Sequence, residues 1–269
     1  MFKRVILLTG MPRSGTSWLS QIFDSSPSVR FRLSPLFSYE FKNALNEESS
    51  YDEWYKILKG AYESENDFMN QSYRRKAGEY PVFDRKEQYP SILVIKDTRF
   101  HNLTYSMLEL IKNLKVVVIV RHPCGAIHSW LTAPKEFPSG ADPLKEWRTG
   151  SCRKNGYGEY WGFSDWLKVT RQHVQLEKIF SAQVIIQQYE DLVLDAIGES
   201  KKLFKFCEID FSQETENFIK ISQQENRNSE YAVFKAPHVT NRWKKELQTE
   251  IKNSIFSELE NSDLQRFLK

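Results

Sequence analysis

Cysteine is scarce in this chain of 269 residues. Cys124, Cys152 and Cys207 are an odd number with no CxxC spacing, which excludes a disulfide framework and offers no structural zinc ligand set. Long hydrophobic runs are lacking too. The opening MFKRVILLTG carries too short an apolar stretch behind its basic pair for the ~7–15-residue core of a signal peptide, and no other run approaches the ~20 residues of a membrane span. Charge of one sign is not in excess either: 38 Lys plus Arg face 35 Asp plus Glu, a net of +3. No global field therefore points to nucleic acid or to an anionic membrane surface. These absences describe a cytoplasmic protein in which any anion recognition is local.

What is present is apolar material in short blocks. With 40% hydrophobic and 14% aromatic residues, the chain can bury a sizeable core, and its length suits one domain over residues 1–269. Four runs read as buried parallel strands, each followed by a helical pattern: RVILLTG (4–10), SILVIKD (91–97), KVVVIVR (115–121) and QVIIQQY (183–189). Their alternation predicts a three-layer α/β fold with a central, mainly parallel sheet flanked by helices. Ligands of such sheets gather at the carboxyl ends of the strands. That rule directs attention to Arg13, Lys96, Asp97, Arg121 and Tyr189. Two aromatic, charged stretches, around 40–88 and 133–160, read as helical and loop insertions that either wall a pocket or pack on the core. The tail from 250 to 269 reads as one or two amphipathic helices.

One familiar group is missing from a loop that otherwise has the shape for it. In LLTGMPRSGTSWL (7–19), Gly10 and Gly15 are spaced as in the nucleotide-phosphate pattern G-x-x-x-x-G-K-[ST], but Thr16 stands where the lysine belongs. Strand, glycine loop and helix start still aim successive backbone N–H groups at one spot, the arrangement that binds phosphate-type anions. The missing lysine weakens the case for a magnesium-triphosphate enzyme. Arg13 supplies charge against a shorter, diphosphate-like group. The bland alternative is a turn with an exposed arginine.

PRSGTSWL (12–19) closely resembles the 5′-phosphosulfate loop, P-[KR]-S-G-T-[TS]-W-L, of sulfotransferases that use 3′-phosphoadenosine 5′-phosphosulfate (PAPS). The resemblance implies a P-loop-like fold and a metal-independent reaction that leaves adenosine 3′,5′-bisphosphate (PAP). It implies that Arg13, Ser14, Gly15, Thr16 and Ser17 hold the phosphosulfate, and that Trp18 packs on the adenine. A donor with a 3′-phosphate needs a second anion site, well away from the loop. VVVIVRHPCGAIHSWL (116–131) supplies one: Arg121 ends a strand, Pro123 suits a first helical turn, and Ser129 lies about two turns on. A guanidinium and a hydroxyl suit phosphate, and Arg-x7-Ser is the family's 3′-phosphate signature.

Further likeness lies in QQYEDL, where Tyr189 matches the tyrosine that touches the base, and in NRWKKELQTE (241–250), where Arg242 matches a residue near the donor. The basic triplet that many cytosolic members place before that motif is absent, leaving Lys235, His238 and Arg242 as substitutes. In VIKDTRFHNL, Lys96 takes the place of a lysine near the bridging oxygen. Thr98 replaces the family's histidine, and KDTR looks more like the K-D-P-R of bacterial and carbohydrate-type members. Asp97 or His101 is then the base that accepts the acceptor's proton, each with a structural role as its alternative. His122 and His128 read as structural. Ser34 in RLSPLFSYEF (32–41) occupies an acidic position of related acceptor segments. The acceptor itself is a small molecule, carbohydrate or lipid bearing a hydroxyl or amine. A P-loop kinase or nucleotide hydrolase, and a non-catalytic nucleotide-binding scaffold, are the competing readings.

Overall fold

The computed structural model describes residues 2–225, 233 and 241–269. Five strands form one sheet in which every pairing is parallel: β1 (Arg4–Thr9), β2 (Val29–Leu33), β3 (Ile92–Asp97), β4 (Leu114–Val120) and β5 (Val184–Gln188), in the order β2-β3-β1-β4-β5. The four expected strands are present, with ends shifted by about a residue. The two faces of the sheet are both apolar because successive side chains point to opposite sides. Val5, Leu7, Leu93, Ile95, Val116 and Val118 join one core, while Ile6, Leu8, Val94, Val117 and Ile119 join the other.

β2 is the strand the sequence concealed. Its VRFRL carries two arginines, yet Arg32 is buried with its Nη2 donating to the carbonyls of Tyr62 and Ser64, both at 2.9 Å. Those carbonyls lie at the end of helix α2 (Tyr51–Glu63), whose unpaired C-terminal carbonyls need donors. Burial, with the Arg30 charge nearby, lowers Arg32 to about 10.

The 40–88 insertion is tied down where it returns to the sheet. The carboxylate of Asp24, at the end of helix α1 (Thr16–Asp24), takes Arg75 at 2.6 Å and Lys86 at 2.8 Å. Burial alone would raise Asp24, but the two cations hold it below the usual carboxylate value. The clamp fixes the neighbouring Arg74 and Tyr80, which reach the site described next.

The chain leaves β1 toward the β2 edge and leaves β4 toward the β5 edge. The carboxyl ends of β1 and β4, side by side, therefore open a crevice. The expected C-terminal helices are Thr249–Leu259 and a short 3-10 turn, Gln265–Leu268.

Candidate active site

After β1 the chain turns sharply. A Cβ at Gly10 would collide with the Ile119 carbonyl of β4, so only glycine lets the two strand ends come this close. Arg13 and Gly15 both take the left-handed region, with φ of 69° and 94°. Gly15 then starts α1 with no side-chain cap, leaving the first-turn amides to a ligand. Ser14 Oγ is buried and has no hydrogen-bond partner among the described residues.

Arg121 leaves β4 into the helix Pro123–Leu131, with Pro123 at its first position as expected. Its Nη1 donates to the carbonyl of Arg13 at 3.0 Å, and its guanidinium lies 4.8 Å from the Tyr189 ring centre. Gly125 leaves room for it, since a Cβ there would sit 3.0 Å from Arg121 Nε. Arg13 Nε in turn donates to Ser129 Oγ at 3.3 Å. The side chains of the two motifs, expected to lie well apart, touch here. Neighbouring strands are only ~4.8 Å apart, so what leaves β1 and β4 meets.

A cavity of about 390 Å³ opens over this junction, within the range of small-molecule sites. It is lined by Arg13, Arg74, Lys96, Arg99, Arg121 and Arg153, with one carboxylate, Glu136, among the described lining residues. The nearly balanced chain thus gathers its positive charge locally. Gly15, Thr16, Ser17, Trp18, Ser129 and Tyr189 also line it. Trp18 Nε1 donates to Ser222 Oγ at 2.9 Å, fixing the indole at the cavity's edge.

Lys96 enters from the end of β3 and donates to Ser17 Oγ at 3.2 Å. Burial lowers it to about 8, with the charge of Arg74 adding to the shift. Asp97 follows it on a strand, so the two side chains face opposite sides of the sheet. Only Lys96 reaches the large cavity. Asp97 lines a separate apolar hollow of about 40 Å³ with Leu7, Trp54 and Ile95. Its Oδ1 accepts from the Arg99 amide at 2.9 Å and from Ser34 Oγ at 3.2 Å, and burial raises it to about 6.

His101 is sealed beneath the strand ends at 1% exposure, with Nδ1 3.3 Å from Thr9 Oγ1 and its ring edge-on to His173 and Tyr160. Burial and the neighbouring His173 hold it well below its ordinary value. Neither expected base lines the cavity. Arg242 does not line it either: it is exposed and paired with Glu246 at 2.8 Å. Glu246 also takes His128 Nε2 at 3.2 Å, while His122 stacks on Trp243 at 4.3 Å. Neither histidine lines the cavity. Lys235 and His238 lie outside the described residues.

A model of the sulfotransferase domain matches residues 3–262. The chain belongs to the sulfotransferase family. No curated protein matches it. Among solved structures, a mouse sulfotransferase complexed with PAP is similar at 17% identity and a TM-score of 0.56, covering 100% of this chain and 89% of that one. The sulfotransferase domain of the Synechococcus PCC 7002 olefin synthase is similar at 14% identity and a TM-score of 0.56, covering 97% and 96%. A sulfotransferase from Alicyclobacillus acidocaldarius follows at 13% and 0.52, covering all of both chains. At such identities the likeness is one of fold, and the sulfotransferase architecture is what the chain shares with them.

Sequence reasoning missed Arg74, Tyr80, Glu136 and Arg153. All come from the two insertions, which do wall the cavity, and none sits in a recognisable local pattern.

Proposed function

We propose that this sulfotransferase moves the sulfuryl group of PAPS to a hydroxyl or amine of a small-molecule, carbohydrate or lipid acceptor, in the cytoplasm. The observation that carries the reading is the meeting of Arg13, Arg121 and Ser129 at the ends of β1 and β4, over an uncapped helix start. The residues fit the donor. Ser14 Oγ is a buried hydroxyl with no described partner, and Gly15 has no side chain to fill the cradle. The amides of Thr16 and Ser17, with Arg13, would hold the 5′-phosphosulfate. Arg121 and Ser129 would hold the 3′-phosphate, with Trp18 and Tyr189 supplying aromatic faces for the adenine.

Sulfuryl transfer, like phosphoryl transfer, moves a group in line between two oxygens with charge spread over its periphery, so positioning and fixed charge do most of the catalysis. Lys96, protonated below about pH 8 and already bonded to Ser17, would donate to the oxygen that leaves sulfur. The cytoplasmic assignment is supported by three free cysteines. No helix among the described residues is long and apolar enough to cross a membrane.

Radiolabelled PAPS incubated with the protein in EDTA tests the reading. Labelled sulfate or sulfated acceptor should appear with stoichiometric PAP. Consumption of magnesium-ATP with PAPS left intact would overturn it.

A further inference from the structure

An acceptor hydroxyl must lose its proton as it is sulfated, and neither Asp97 nor His101 faces the cavity where this happens. We propose that Glu136 is the general base of the transfer, a role that rests on the PAPS reading above. It is the one carboxylate among the described residues lining the cavity. The position at which related acceptor segments carry an acid is held here by Ser34, whose hydroxyl is turned onto Asp97. Glu136 comes instead from the segment after the helix Pro123–Leu131, the same helix that supplies Ser129.

The local structure holds this carboxylate in place. The Glu136 amide donates to the Ala133 carbonyl at 2.9 Å, and the Nε1 of the buried Trp130 donates to the Glu136 carbonyl at 3.3 Å. Arg153 Nη2 reaches Oε2 at 3.2 Å, and the Arg153 guanidinium lies 5.4 Å from the Trp161 ring centre. The charge of Glu136 is felt at Lys96, where it favours the ammonium form. Lys96 itself touches Ser17 of the donor loop. Base, ammonium and donor loop therefore line one cavity, so an acceptor hydroxyl bound there has a carboxylate within the space where a proton acceptor must reach it.

The step balances without a co-reactant. The acceptor oxygen bonds to sulfur while the bond from sulfur to the phosphate oxygen of PAPS breaks. The acceptor's proton passes to a Glu136 oxygen, and the electron pair of the broken bond leaves on PAP. A base matters most when the acceptor is weakly acidic, as an aliphatic alcohol, a sugar hydroxyl or water is, and least when the acceptor is already ionised.

Glu136→Gln keeps shape and backbone contacts but cannot take a proton. PAPS hydrolysis, with water as the acceptor, should fall about 100-fold or more in this variant. Transfer to p-nitrophenolate, at a pH where that acceptor is ionised, should fall only a few-fold. PAP binding, read by thermal shift at pH 6.5 where Lys96 is protonated in both proteins, should not weaken. Hydrolysis at the wild-type rate would overturn the assignment. So would equal losses with water and p-nitrophenolate, because a structural role predicts equal losses. Wild-type protein that neither binds PAP nor consumes PAPS would overturn the PAPS reading and this role with it. Wild-type transfer with an indifferent E136Q would overturn this role alone.

Discussion

Arg13 Nε donates to Ser129 Oγ at 3.3 Å, joining two residues that lie 116 apart in sequence. One leaves β1 and the other rides the helix after β4. With Arg121 Nη1 on the Arg13 carbonyl at 3.0 Å, the contact joins the two sequence motifs at the ends of β1 and β4. A nucleotide with phosphates at both ends of its ribose is the ligand this arrangement suits. Its binding must exchange the internal contacts of Arg13 and Arg121 for phosphate oxygens.

Arg121→Ala should therefore remove discrimination by the 3′-phosphate. A charge-assisted bond is worth about 1.5–3 kcal/mol, roughly ten- to 150-fold in affinity. Calorimetric titration of the wild type should show PAP binding tighter than 5′-AMP by such a factor. In the variant the two ligands should bind alike, and a preserved preference would place the 3′-phosphate elsewhere.

Gly15→Ala should damage both fold and cradle. The position has φ 94°, and the new Cβ would run into the Tyr189 ring. Strain of this kind costs about 1–3 kcal/mol, or several degrees in melting temperature for a chain of this size. The PAP-induced thermal shift should largely vanish. Ala tolerated with full PAP binding would mean the loop is not the phosphosulfate cradle.

PAP binding should depend on pH through Lys96. Burial, then the Arg74 charge, lowers it to about 8, and a bound anion favours its charged form. PAP affinity should be full below about pH 8. It should fall by up to about tenfold per pH unit above that, because binding then requires proton uptake. Lys96→Met should bind more weakly and show a flat profile from pH 7 to beyond 9, as measured by calorimetry in buffers of different ionisation enthalpy.

Asp97 acts on stability with a sign of its own. Burial raises it from 3.8 to about 6, so the folded state holds its proton more tightly than the unfolded chain. Its contribution is full below about pH 4 and is lost as pH rises through about 6. Asp97→Asn retains an Oδ1 to accept from the Arg99 amide and Ser34. Melting curves from pH 4 to 7 should show that the variant lacks this loss, and identical slopes in both proteins would contradict the burial of the carboxyl.

The strands that were legible in the sequence are those whose Val, Ile and Leu face two cores at once. β2 was not, because Arg30 and Arg32 break its apolar pattern and the helix carbonyls that satisfy Arg32 arrive from α2. The loop at 10–18 and the Arg-x7-Ser spacing were readable because their chemistry is local. Which strand-end side chain faces the cavity was not. Adjacent Lys96 and Asp97 look alike as strand-end residues, but the period of two sends one into the large cavity and the other into the apolar hollow. Arg74, Glu136 and Arg153 reach the cavity by long-range packing of insertions, for which one sequence carries no spacing rule.

A bisphosphorylated adenosine, bound without a metal, is the ligand expected at the ends of β1 and β4. Parallel calorimetric titrations in EDTA with PAP, and in magnesium with ATP, test it most directly. PAP should bind in EDTA at least about tenfold more tightly than magnesium-ATP, a difference of about 1.4 kcal/mol. Tight magnesium-ATP binding with PAP ignored in EDTA would contradict it.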